Sequence, residues 1–224
     1  MKRRLLIDYT DFQIDRMVFA KDIKQKHVDR INEPEICNFI HVKAEDAPVE
    51  VPHANSSKET KIELQAMINT INATDPKKQA ELVKKDDTEF LWRFEKYCKK
   101  NGLKFNKEYL DAISDEASVI LIKIKYKYNR PRPFQLAPVL GMDLHSAHAF
   151  TANTPSFPSG HAAQSKLVAD VLSKIYPLHQ NAFQAISEKI SYSRFIGGLH
   201  FPSDIEYGYS IGDWLFHHTD TASY

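Results

Sequence analysis

Residues 156–166 read SFPSGHAAQSK, a serine, a glycine and a histidine set between a proline and the first turn of an amphipathic helix. A helix start leaves backbone N–H groups unpaired and pointing outward, and with the helix dipole they attract anions. Ser159, Gly160 and His161 stand at that terminus. Elsewhere two cations fall on apolar stripes: Lys125, four residues after Leu121 and three before Tyr128, and Arg194, four after Ile190. Arg132 follows just past a helix end. An unpaired cation in a core costs on the order of several kcal/mol, so cations in such places ask for a negative partner. Taken singly, each residue has an ordinary structural reading. Lys125 can lay its stem along the core and reach water, Arg194 can bond the last carbonyls of its helix, and His161 or His200 can be packed histidines.

Read together, the spacings are more specific. Lys125 and Arg132-Pro133 are followed by Pro158-Ser159-Gly160-His161, then by Ser193-Arg194, His200 and Asp204. This pattern resembles the three-part signature of the phosphatidic acid phosphatase type 2 superfamily, which also contains class A bacterial acid phosphatases and vanadium haloperoxidases. It runs from Lys125 to about Gly212, and the context KYKYNRPRPF is most similar to the soluble acid phosphatases. Lys123 with Arg130-Pro131 satisfies the first motif as well; the surrounding Tyr-x-Arg-x-Arg-Pro-Phe favours Lys125 with Arg132.

The resemblance implies a phosphomonoester hydrolase with named roles. A phosphoryl group in transfer spreads charge over three oxygens, so catalysis is mostly positioning and electrostatic stabilisation. Lys125, Arg132 and Arg194 supply the cations. The Ser159 hydroxyl and the Gly160 N–H complete the cradle, glycine letting backbone approach the oxyanion without a Cβ between. His200 is the implied nucleophile, giving a phosphohistidine, with Asp204 on its other ring nitrogen. His161 is the implied acid for the leaving oxygen and the base for the water that follows, and two imidazoles near their ordinary pKa of about 6.5 give a bell-shaped optimum at mildly acidic pH. No metal and no cofactor is implied. The alternative is a vanadate-dependent haloperoxidase, with vanadate in the same cradle; a non-catalytic phosphate-binding module is a third reading. The expected partner is a small phosphomonoester or a lipid phosphate.

These residues need helices to carry them. Tyr109, Ala112, Ile113, Ala117, Ile120, Leu121, Ile124 and Tyr128 recur at helical spacing before Pro131 and Pro133. Ala162, Ala163, Leu167, Val168, Val171, Leu172 and Ile175 form one face of the helix opened by the Ser-Gly-His motif. Further helices start near Asn181 and at Pro202, the last burying Ile205, Gly208, Ile211, Gly212 and Leu215. Upstream, Ser56 with Glu59 suggests a capping box. Asp75-Pro76 marks another helix start, and a segment over 89–100 ends at Asn101-Gly102. Residues 33–57, with three prolines, read as irregular. The expectation is an all-α bundle of one domain, residues 1–105 forming an unmatched N-terminal part and 106–224 the part that carries the motifs.

Composition narrows the partners. The chain has 224 residues, 42% hydrophobic and 26% charged, with 30 Lys+Arg against 29 Asp+Glu. That balance gives no footprint for nucleic acid or an anionic membrane. The longest apolar run near the middle is broken by Lys123 and Lys125, short of a transmembrane span. The basic start reaches Asp8 before a signal peptide's apolar stretch forms. Two cysteines, Cys37 and Cys98, make neither a disulfide framework nor a zinc site, so the expected setting is cytoplasmic. His145 and His148 read as loop residues, and His217 and His218 as helix-end residues.

Overall fold

The computed structural model describes residues 9–35, 38–48 and 50–224. The basic start at residues 2–4 and Cys37 lie outside the described residues. All regular elements among the described residues are helical, as the periodicities predict. They are α1 (Asp11–Asp15), α2 (Gln25–Asn32), α3 (Lys58–Asn72), α4 (Pro76–Asp87), α5 (Trp92–Lys100), α6 (Lys107–Tyr128), α7 (Pro133–Leu136), α8 (Gly160–Ile175), α9 (Gln180–Ile196) and α10 (Pro202–His217). Single turns of tighter helix occur at Ala44–Asp46 and Pro177–His179. Between α2 and α3 the described residues are irregular apart from the turn at Ala44–Asp46, and are tied down by a bridge between Ile40 and Thr219 and by the Glu116 carboxylate, which accepts from the N–H groups of Asn38, Phe39 and Ile40.

Local chemistry sets the helix ends. Asp75 caps α4 by accepting from the Lys78 N–H, with Pro76 in the first turn. Asn106 caps α6, which ends at Asn129 in the left-handed region. The α3 cap differs from expectation. Ser57, not Ser56, accepts from the Thr60 N–H, because the Ser56 hydroxyl and N–H are both engaged by Asp15 at the end of α1. The expected helices do not include α1 or α2; α1 is a five-residue helix held by a Thr10–Gln13 capping box.

The core gathers on α8, whose Leu167, Val168, Val171 and Leu172 pack among Ile113, Ile120, Leu121 and Ile124 of α6, Phe183 and Ile190 of α9, and Ile211 and Leu215 of α10. Each such side chain contributes about 1.5–3 kcal/mol over its exposed state. A second cluster, Ile14, Leu64, Met67, Leu136, Ala137 and Phe201, backs the turn between α9 and α10. Where α10 crosses α8 the backbones nearly touch. A Cβ at Gly208 would lie 2.7 Å from the Ser159 carbonyl oxygen, and one at Gly212 2.5 Å from that of Ala163. Small residues there seat the start of α8 directly on the start of α10. No described helix is long and apolar enough to cross a membrane.

Candidate active site

A cavity of about 180 Å³ opens between α6 and α8. Its wall includes Lys125, Arg132, Gly160, His161 and His200 from the expected set, with Ser118, Leu121, Ile122, Thr151, Thr154 and Gln164. Lys125 reaches it because it continues the row of Ser118, Leu121 and Ile122 along one face of α6. His161 and Gln164 share the facing side of α8.

Lys125 is buried and does not extend to water; its ammonium donates to the carbonyls of Pro155 at 2.8 Å and Pro158 at 2.6 Å. It thereby ties the segment entering α8 to α6. Burial first, then the charge of Arg132, lower its pKa well below the ordinary lysine value. Arg132 donates through Nε to the Thr154 carbonyl and through Nη1 to the Leu199 carbonyl, each at 2.9 Å. The same Nη1 donates to Nε2 of His200 at 3.0 Å. Burial and Arg194 bring Arg132 down to about 9, still charged at neutral pH.

Two expected residues stand behind the wall. Ser159 is fully buried and caps α8, its hydroxyl accepting from the Ala162 N–H at 3.4 Å while its own N–H donates to the Asp204 carbonyl at 2.8 Å. Arg194 is 1% exposed, and its Nη2 donates to Asp87 at 3.0 Å and to the Thr151 hydroxyl at 3.1 Å. Its Nε and Nη1 are buried with no hydrogen-bond partner. The rationale for Gly160 also changes. A Cβ there would meet Lys125 Cε at 3.7 Å and Gln164 Oε1 at 3.9 Å, ordinary contacts. The protein itself therefore does not require glycine, and only an occupant of the cavity could.

The imidazoles depart most from expectation. The Nε2–H of His161 donates to the carbonyls of Asp86 and Asp87 at 3.0 and 3.1 Å, and burial followed by the Arg194 charge pushes the ring down to about 3. His200 is likewise held well below its ordinary value, by burial and then by Arg132. Neither titrates near 6.5 in the free chain, because both rings lie buried among cations. Nδ1 of His200 lies 3.6 Å from Asp204 Oδ2, too far for a hydrogen bond. Asp204 instead accepts from Arg130 Nη1 at 2.6 Å, from the Phe201 N–H at 2.9 Å and from the Ser156 hydroxyl. Burial alone would raise this carboxyl, but Arg130, then His200 and Ser156, hold it below the usual carboxylate range.

The two registers of the first motif separate cleanly. Lys123 pairs with Glu35 at 2.6 Å, away from the cavity. Arg130 stacks on Phe201, 4.1 Å from guanidinium carbon to ring centroid, and lies 3.5 Å from Glu63 in addition to its bond with Asp204. Sequence reasoning missed Arg130 as the partner of Asp204, and missed Asp87 altogether. Asp87 accepts from Arg194, from the Thr151 hydroxyl and from the Phe150 N–H. A signal existed: two acids, Asp86 and Asp87, close α4 at the end where the helix dipole disfavours negative charge, so each should have a cation. Asp86 has Arg93 at 2.6 Å. His145, His148, His217 and His218 are exposed and do not line the cavity.

Residues 112–218 match the family model described as the PAP2 superfamily. Over 107 residues the sequence is 31% identical to a non-specific acid phosphatase of Providencia stuartii, covering 48% of this chain and 43% of that protein. The fold superposes on the crystal structure of a bacterial vanadium-dependent iodoperoxidase with a TM-score of 0.61 at 17% identity, covering 80% of this chain and 53% of that one. A transmembrane PAP2-type phosphatidylglycerolphosphate phosphatase from Bacillus subtilis gives a TM-score of 0.47 at 19% identity, over 72% of this chain and 85% of that one. This chain thus spans about half the length of the first two proteins. The matched segment carries Lys125, Arg132, the Ser-Gly-His turn, Arg194, His200 and Asp204, and over residues 112–218 this chain is similar to the PAP2 superfamily.

Proposed function

We propose that this protein is a metal-independent phosphatase that hydrolyses phosphomonoesters through a phosphohistidine at His200. The observation that carries the reading is the cation cluster: Lys125, Arg132 and Arg194 are all buried, and Asp87 is the one carboxylate that bonds to any of them among the described residues. A phosphoryl dianion supplies the charge that such a cluster needs, and a metal cation would meet repulsion there.

The residues suggest an order of events. Arg132 donates to Nε2 of His200, so that nitrogen carries a lone pair and its proton belongs on Nδ1, toward Asp204. A phosphoryl oxygen competing for Arg132 releases the lone pair for in-line attack. The charge that develops on the ring falls beside the Asp204 carboxylate. His161 presents Nε2–H to the carbonyls of α4 and keeps Nδ1 for the proton delivered to the leaving oxygen. A bound dianion offsets the field of Arg194 and raises the His161 pKa to where it can hold that proton.

The test is phosphate release from phenyl phosphate in excess chelator, with an alkaline quench to preserve phosphohistidine. Wild-type protein should turn over and trap label, His161→Ala should slow turnover most for poor leaving groups, and His200→Ala should do neither. Near-normal turnover by His200→Ala would remove the nucleophile. Halide oxidation by peroxide after vanadate is added, without phosphate release, would select the haloperoxidase.

A further inference from the structure

We infer that the leaving group this site accepts is a small apolar alcohol, aryl or short alkyl, in preference to a polyol such as a sugar or glycerol. The inference rests on the phosphatase reading and concerns the part of the cavity beyond the cations.

That part is defined by the seam of α6 and α8. The Gln164 side-chain amide donates to the Ser114 carbonyl at 2.9 Å, and Lys125 lies against Gly160 at the other end. The two helices are therefore antiparallel here. The cavity runs from the cation end toward Ser118, a rise of about 1.5 Å for each α6 residue. His161 and Gln164 are one turn apart on α8, so an oxygen protonated by His161 carries its substituent along this seam, against Ser118, Leu121 and Ile122.

The wall offers a substituent few groups to bond. Leu121 and Ile122 are apolar. The Ser118 hydroxyl donates to the Asp115 carbonyl at 2.9 Å and accepts from Arg30. The Thr151 hydroxyl is engaged by Asp87 and Arg194, and that of Thr154 accepts from Arg132. Gln164 commits one amide N–H to Ser114 and turns its amide oxygen toward Gly160, so the wall leaves a substituent only the rest of this amide and the Thr154 O–H, fewer partners than the hydroxyls of a polyol can use. A substrate bringing more hydroxyls strips them of water without pairing them, and discrimination of that kind is large. Size points the same way, since 180 Å³ is below the roughly 300–1,000 Å³ of pockets that enclose drug-sized ligands.

The experiment compares kcat/KM for n-butyl phosphate and glycerol 1-phosphate, which are close in size. Glycerol is the more acidic alcohol, so intrinsic reactivity favours it and cannot produce the expected result. The butyl ester should be preferred by about ten- to a hundredfold. Ile122→Thr, which puts a hydroxyl in place of the ethyl arm, should narrow the preference severalfold where its isostere Ile122→Val does not, and Gln164→Leu, which removes the amide, should widen it. Hydrolysis of both esters with no preference, or with glycerol favoured, overturns the leaving-group assignment while the phosphatase reading stands. Release of phosphate from neither ester, nor from phenyl phosphate, overturns both.

Discussion

Asp87 and Arg130 each attach a charge to the site from outside the cavity wall, and removing either should be diagnostic. Asp87→Asn leaves Arg194 buried without a counter-charge, a change of about 3–5 kcal/mol in other proteins. The free variant should melt well below wild type, and phosphate should raise its Tm by more than it raises that of wild type, because the ligand then supplies the missing charge. Equal phosphate shifts in the two proteins would contradict this pairing. Arg130→Lys keeps a cation but loses the fork that holds Asp204, and should lower kcat by roughly a hundredfold through a displaced His200. KM should scarcely move, since Arg130 does not line the cavity; a rise in KM at unchanged kcat would place it among the binding residues instead. The pH behaviour follows from the imidazoles. An unfolded histidine titrates near about 6.5 and His161 in the free fold at about 3. Between those values the unfolded chain binds more protons. The contribution of His161 to stability is complete above the upper value and is lost as pH falls toward the lower. An anion that raises the folded pKa must bind with proton uptake. Sulfate, dianionic throughout, should bind more tightly at pH 5 than at pH 7, and calorimetry in buffers of different ionisation enthalpy should show the proton taken up. A pH-independent affinity would show that the anion does not reach His161.

The helices themselves were legible in the sequence where packing and local chemistry agree. α6, α8, α9 and α10 repeat their apolar residues at the helical period because one face of each enters the common core, and Asp75-Pro76 or Asn101-Gly102 carry their meaning within a few residues. Ser56 misled because the adjacent Ser57 satisfies the same cap, and what separates them is Asp15, some forty positions earlier. Lys125, Arg132, His161 and His200 could be placed at one site by motif spacing. The partners of Arg194, His161 and Asp204 could not, since they are α4, the α4 carbonyls and a second arginine, none of which recurs with any period. The glycines of α10 are an intermediate case: the apolar stripe includes them, yet only the crossing with α8 shows why nothing larger fits. Gly208→Ala drives a methyl into the Ser159 carbonyl. It should cost about 1–3 kcal/mol by overpacking and lower kcat as well, by shifting the start of α8 against that of α10. Wild-type kcat with a lowered Tm would mean that the shift is absorbed elsewhere.

Across the whole molecule, the site draws on residues from Arg30 to Asp204, and the segment outside the family match is part of it. Gln79 of α4 donates to the Ile196 carbonyl at the end of α9 at 2.6 Å, and Glu63 of α3 accepts from the Ser203 N–H at the start of α10 at the same distance. A fragment of residues 106–224 would present Arg194 and Arg130 without Asp87 and Glu63, and should neither fold nor hydrolyse a phosphomonoester; circular dichroism and phosphate release would check both. The contact of His161 with the α4 carbonyls joins positions 75 residues apart. Its consequence is thermodynamic: a molecule in which α4 has come away has also lost the seat of His161 and the counter-charge of Arg194, so no partly unfolded species retains turnover. Denaturant titrations followed by phosphate release and by helicity should therefore share one midpoint, and turnover would serve as a folding probe.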